Sequence, residues 1–179
     1  MTCIVGIKSE GKVYIGGDSL GSSTYKKVIR ADQKIFIKND MIFGFTSSYR
    51  MGQILRYSFV PPKRLHEDSD DMTYLVNKFI PDLIKCYDFY GYLTKKENVA
   101  IGGVFLLGYK EKLYKIEGDF QVGESTDDFD ACGCGEDFAL GSLYSTKDFT
   151  NPELRIQTAI NAAAEFSPGV GGTNLILSI

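Results

Sequence analysis

The chain has 179 residues, of which 44% are apolar and 24% charged, with 20 basic and 23 acidic side chains for a formal net charge of −3. That is an ordinary composition for one domain with a buried core, spanning 1–179. The negative balance and the isolated Lys26-Lys27, Lys63-Arg64 and Lys95-Lys96 pairs argue against an electrostatic nucleic-acid grip.

No apolar run approaches the roughly 20 residues needed to span a bilayer, so no membrane partner is expected. Met1-Thr2-Cys3-Ile4-Val5-Gly6 shows no charged region followed by an apolar stretch, so no secretory signal is expected either. Cys3, Cys86, Cys132 and Cys134 lack zinc-type spacing, and His66 is the only histidine. Reduced thiols in a cytoplasmic protein without metal or other cofactor are the expectation.

In chain order, Cys3 to Lys8 alternates as a strand, Ser9-Glu10-Gly11 turns, and Lys12 to Gly16 returns. A Gly/Ser-rich loop (Gly21 to Thr24) precedes a second hairpin, Lys34 to Lys38 and Met41 to Phe45, turning at Asn39-Asp40. Met51, Ile54, Leu55 and Phe59 fall at helical spacing, and Pro61-Pro62 ends that helix. Lys63 to Asp71 is polar and reads as a surface loop, with His66 solvated within it. Asp70 or Asp71 caps a second helix with the stripe Met72, Leu75, Val76, Phe79, Ile80, Leu83, Ile84 and Tyr87. Pro81 within that stripe predicts a kink or break.

Strands are expected again at Gly103 to Tyr109, Lys112 to Glu117 and Phe120 to Val122. Asp130 to Cys134 precedes a helix beginning near Glu136. Asn151-Pro152-Glu153 starts another, running to about Phe166 and stopped by Ser167-Pro168-Gly169. Asn174 to Ile179 is a final strand. Grouped strands and grouped helices imply an α+β fold with two antiparallel sheets and helices on the outer faces.

Thr2 carries a hydroxyl and, once Met1 is trimmed, a free α-amine with a pKa near 8 that can accept the hydroxyl proton. Gly16-Gly17-Asp18 places a carboxylate directly after a strand, and Lys34 opens the next strand. A lysine beside the nucleophile favours its deprotonated form, and a carboxylate orients that lysine. Gly44-Phe45-Thr46-Ser47-Ser48 lies at a strand-to-helix turn whose backbone N–H groups suit a developing oxyanion.

Thr2, Asp18 and Lys34, 16 and 32 residues apart, resemble the proteasome β-subunit family and most of all its bacterial relative, the HslV-type peptidase. The resemblance spans nearly the whole chain and is strongest from Thr2 to Ser48. It implies an N-terminal-nucleophile (Ntn) hydrolase with a four-layer αββα sandwich, amide hydrolysis through an acyl-enzyme, and no cofactor. It also implies a polypeptide or small amide substrate, assembly into a homo-oligomeric ring and a partner unfoldase ATPase. Ala131-Cys132-Gly133-Cys134-Gly135 resembles the family's Gly-Ser-Gly stretch, with Cys134 where the family has a serine. Glu165 stands where an aspartate usually ends the next helix, and Ser47, near the oxyanion hole, replaces a glycine. A thiol is a weaker hydrogen-bonding group than a hydroxyl.

Four other readings compete. Gly17-Asp18-Ser19-Leu20-Gly21 matches a serine-hydrolase elbow, which requires a helix directly afterwards. Cys3 is an alternative N-terminal nucleophile, and Cys132 with Cys134 on one short strand is a candidate redox pair. A catalytically silent proteasome-like scaffold or assembly subunit is the rival of a different class.

Overall fold

The computed structural model describes residues 1–23, 25–65 and 70–179. The expected surface role of His66, part of the Lys63 to Asp71 loop and the end of the Gly21 to Thr24 loop lie outside the described residues. The opening hairpin pairs β1 (Cys3–Ser9) with β2 (Lys12–Asp18). Its turn needs positive φ at both central residues, and Glu10 and Gly11 supply 52° and 72°. Two short strands follow, β3 (Leu20–Ser22) and β4 (Lys27–Ile29), then the hairpin of β5 (Ile35–Lys38) and β6 (Met41–Phe45).

Helix α1 (Tyr49–Gln53) widens into a π-helical turn over Ile54–Ser58, and Lys38 donates to the Leu55, Arg56 and Phe59 carbonyls at its end. Helix α2 (Asp71–Tyr74), capped by Asp70, passes through a second π-helical turn (Leu75–Phe79) into α3 (Ile80–Phe89). The break expected at Pro81 does not occur. The ring lands in the first turn of α3, and the ladder widens directly before it, with Ile80 N–H donating to Leu75 O. A π turn is a recurrent way for a helix to absorb such a residue.

The rest of the chain forms β7 (Thr94–Lys96), β8 (Val99–Ile101), β9 (Phe105–Tyr109), β10 (Lys112–Ile116), β11 (Val122–Glu124), β12 (Phe129–Gly133), α4 (Glu136–Ser145), α5 (Pro152–Phe166) and β13 (Asn174–Ser178). Phe120, expected in a strand, sits in the turn before β11 at φ 69°. Two larger antiparallel sheets result, in the orders β12-β1-β2-β13 and β11-β10-β9-β6-β5, with β3-β4 and β7-β8 as separate hairpins.

Strand alternation divides the core into three clusters. Ile4, Val13 and Ile15 of the first sheet meet Ile35, Ile42, Leu106 and Leu113 of the second. From the same strands, Cys3, Val5 and Ile7 turn the other way, against Ile156, Ala159, Ile160 and Ala163 of α5. Met41, Phe43 and Phe45 likewise turn from the second sheet to Ile54, Leu55, Leu75, Phe79 and Leu83. Strands buried on both faces must be apolar on both, which is why β1 and β6 read as near-continuous apolar runs. No helix among the described residues is long and apolar enough to cross a membrane.

Gly16 sets how closely α5 approaches β2, since a Cβ there would lie 2.3 Å from Ile156 Cγ2 and 3.1 Å from Ile160 Cδ1. Gly16→Ala is expected to lower unfolding free energy by about 1–3 kcal/mol through overpacking, measured by urea denaturation.

Candidate active site

Thr2 lies directly before β1, and the register Cys3↔Gly133 brings the turn after β12 beside it. Gly133 has φ 104°, and a Cβ on it would fall 2.3 Å from the Thr2 carbonyl oxygen, so no side chain fits there. The Gly135 N–H donates to that oxygen at 3.3 Å, and the Thr2 N–H donates to Cys134 Sγ at 3.2 Å. Cys134 Sγ also lies 3.5 Å from the Thr2 carbonyl oxygen and 3.5 Å from Ser167 Oγ. The Thr2 backbone is thus held on both sides. Its hydroxyl accepts and donates no hydrogen bond among the described residues.

Asp18 ends β2, beside Asn174 of β13. Its Oδ1 accepts from Lys34 Nζ at 2.8 Å and from the Cys3 N–H at 3.0 Å. Its Oδ2 accepts from the Leu20 and Gly171 N–H groups, both at 3.2 Å. Lys34 Nζ also donates to Leu20 O at 2.7 Å. Thr2, Asp18 and Lys34 are 2%, 1% and 3% exposed. Burial pushes the Lys34 ammonium below its ordinary value, and the adjacent Asp18 carboxylate opposes that shift.

Thr2 and Lys34 open onto one cleft of about 100 Å³, walled by Gly21, Ser22, Thr46, Ser47 and Tyr49, with Met1 at its rim. Ser47 adopts φ 65°, the left-handed region that favours glycine, and its hydroxyl accepts from the Val104 N–H at 3.0 Å. The Ser47 N–H has no partner among the described residues. The Arg30 guanidinium stacks 3.9 Å from the Tyr49 ring centroid and forks onto Asp32 at 2.7 and 2.5 Å, bracing this wall.

The structure therefore brings Thr2, Asp18, Lys34, Cys134 and Ser47 together. It does not bring Glu165, which is exposed on the last turn of α5 without a hydrogen bond or ion pair among the described residues. The helix turns its side chain outward there, and Ser167, two residues on and buried, reaches Cys134 instead. In the sequence Ser167 stood out only as part of a helix stop. The Leu20 and Gly171 amides on Asp18 left no residue-type signal at all.

The competing chemistries lose their footing in the same geometry. Gly17-Asp18-Ser19-Leu20-Gly21 runs into β3 rather than a helix, and Ser19 Oγ is taken by Thr173. Cys3 is fully buried under α5, and burial pushes its thiol up to about 12, which withholds the thiolate a nucleophile needs. Cys132 is buried between the sheets, whereas Cys134 lies beyond the strand end and is exposed, and both are free thiols.

No family model matches the sequence. Among solved structures, Thiobacillus denitrificans BPH in complex with epoxomicin superposes with a TM-score of 0.82 at 21% identity, covering 99% of this chain and 98% of that one. A second structure of Thiobacillus denitrificans BPH gives 0.79 at 21% identity, covering 99% and 97%. Eukaryotic HslV from Trypanosoma brucei gives 0.71 at 16% identity, covering 99% and 98%. The chain has the Ntn-hydrolase fold of the HslV type.

The Asp18–Lys34 pair carries a stability consequence. Lys34→Met leaves a buried carboxylate with three amide donors and no cation, and is expected to cost about 3–5 kcal/mol in denaturant unfolding. Adding Asp18→Asn to Lys34→Met should recover part of that loss.

Proposed function

We propose that the chain is one Ntn-hydrolase domain over 1–179, arranged as an αββα sandwich, acting as a threonine-type peptidase or amidohydrolase. The observation that carries this reading is an unpartnered Thr2 hydroxyl sharing one cleft with the Lys34–Asp18 pair. In the intact chain the Thr2 nitrogen is an amide and cannot act as a base, so activity requires loss of Met1. The freed α-amine takes the hydroxyl proton as Thr2 Oγ1 attacks the substrate carbonyl carbon. Lys34, fixed by Asp18 and Leu20 O, lends positive charge to the developing alkoxide. The free Ser47 N–H faces the carbonyl oxygen as it gains charge. The amide C–N bond breaks, the leaving nitrogen takes the proton back from the α-ammonium, and an ester on Thr2 remains. Water then attacks that ester, returning the acid and the free hydroxyl.

Cys134, within hydrogen-bond distance of the Thr2 nitrogen, orients the amine in this scheme, with Ser167 behind it. Glu165 joins only by a rotation of its side chain toward Cys134. The HslV likeness supports, as part of this proposal, a cytoplasmic homo-oligomeric ring supplied by an unfoldase ATPase. A polypeptide and a small amide remain alternative substrates. A silent scaffold is the second reading, favoured by the thiol at Cys134 and by the outward Glu165.

An epoxyketone separates the two. Epoxomicin is bound by the Thiobacillus denitrificans protein, and the same compound is expected to add its mass to this chain once Met1 is absent. Intact-mass spectrometry should show both the trimming and the adduct, with the adduct gone in Thr2→Ala. A trimmed, folded protein with no adduct and no peptide turnover belongs to the scaffold reading.

The pH dependence follows from the same groups. The rate constant kcat/KM should rise as the α-amine loses its proton near pH ~8. It should fall again as Lys34 deprotonates, at a pH below the ordinary lysine value of 10.5. Initial rates on a fluorogenic peptide between pH ~6 and ~11 would display both limbs.

A further inference from the structure

At the end of the fold away from Thr2, the β1–β2 turn, the β9–β10 turn and the α4–α5 connection enclose a cleft of about 610 Å³. The length of β1, roughly 20 Å, separates it from the Thr2 site. Lys8, Lys12, Lys147 and Arg155 line it.

Arg155 is the unusual member. Arg155 is 8% exposed, and among the described residues its side chain's one hydrogen bond runs from Nη2 to Leu143 O at 3.1 Å while its buried Nε has no partner. No carboxylate lies within ion-pair distance of it among the described residues. A guanidinium stays charged at any accessible pH. The last turn of α4 offers it about half a unit of opposing charge, and the Phe129 ring face, 5.7 Å away, adds a little more. A buried full charge calls for a full counter-charge, and none of the described residues supplies one.

Lys12 and Lys147 make no ion pair among the described residues. Lys8 makes only a 3.8 Å contact with an exposed Asp128, which solvent screens. Glu10, Glu111 and Asp128 share the wall, so four cations face three carboxylates. That balance accepts one small anionic group and repels a polyanion.

We propose that this cleft is a second binding site for a small oxyanion, a single phosphate or carboxylate group held against Arg155 with Lys12 and Lys147 at its mouth. The site is independent of the chemistry at Thr2. Calorimetric titration of the full chain with inorganic phosphate and, separately, with acetate tests it, each against chloride at equal ionic strength. Saturable binding of either oxyanion above the chloride control is expected. Saturation by phosphate points to a free phosphate as the source, and saturation by acetate to a carboxylate. Lys12→Met with Lys147→Met should weaken it about tenfold, and Arg155→Met should abolish it. Because Arg155 is buried, the exposed lysine pair keeps the test decisive if Arg155→Met does not fold. No saturation above chloride, or unchanged affinity in every variant that keeps the wild-type circular dichroism spectrum, overturns the proposal.

Discussion

Asp18 accepts four hydrogen bonds from four separate pieces of chain: the start of β1, the start of β3, the residue before β5 and the turn before β13. A carboxylate taken out of water to this degree is tolerable only when every lone-pair direction is met and a cation stands beside it. Lys34 supplies the cation, and Leu20 O satisfies a second of its protons. The pair thus ties the first sheet to the edge strand of the second at the mouth of the cleft. Removing either partner disturbs the frame as well as the proposed chemistry, so any loss of activity in a Lys34 variant is to be read beside a measurement of stability.

Much of this was legible before any coordinates. The strands of both hairpins were legible, although β1, expected to alternate, is buried on both faces from Cys3 to Ile7, and the caps at Asp70 (one of two candidates) and Asn151 marked two helix starts. Thr2, Asp18 and Lys34 were legible because three chemically matched residues kept fixed intervals. Other elements left no trace. β7 and β8 are short and largely exposed, and their turn uses Glu97 and Asn98 at positive φ without a glycine. β3 runs into the Gly/Ser-rich stretch from Gly21 that resembles a loop in composition, and β4 is only three exposed residues long. The π turns compress no sequence signal at all, because the side-chain stripe continues through them.

The site shows the same division. Residue types report side-chain chemistry, so Thr2 and the Asp18–Lys34 pair emerged, while backbone donors such as the Leu20 and Gly171 amides did not. Glu165, expected at the site from the family resemblance alone, is exposed on the last turn of α5 and makes no hydrogen bond there among the described residues. Ser167 carries the contact instead. Ser47 lies between these cases: its left-handed backbone is a conformation glycine adopts freely, and its hydroxyl bond to the Val104 amide accompanies that conformation here.

Helix α5 is capped by Asn151, one turn before Arg155, and is followed by Ser167, which lies against Cys134. It is a single uninterrupted rod, roughly 22 Å long, bedded on Gly16 so closely that it has little room to tilt. Any axial slide of that rod is shared by both of its ends. The turn that grips the Thr2 backbone and the distal cationic cleft therefore lie at opposite ends of one rigid element, which fixes the distance between them.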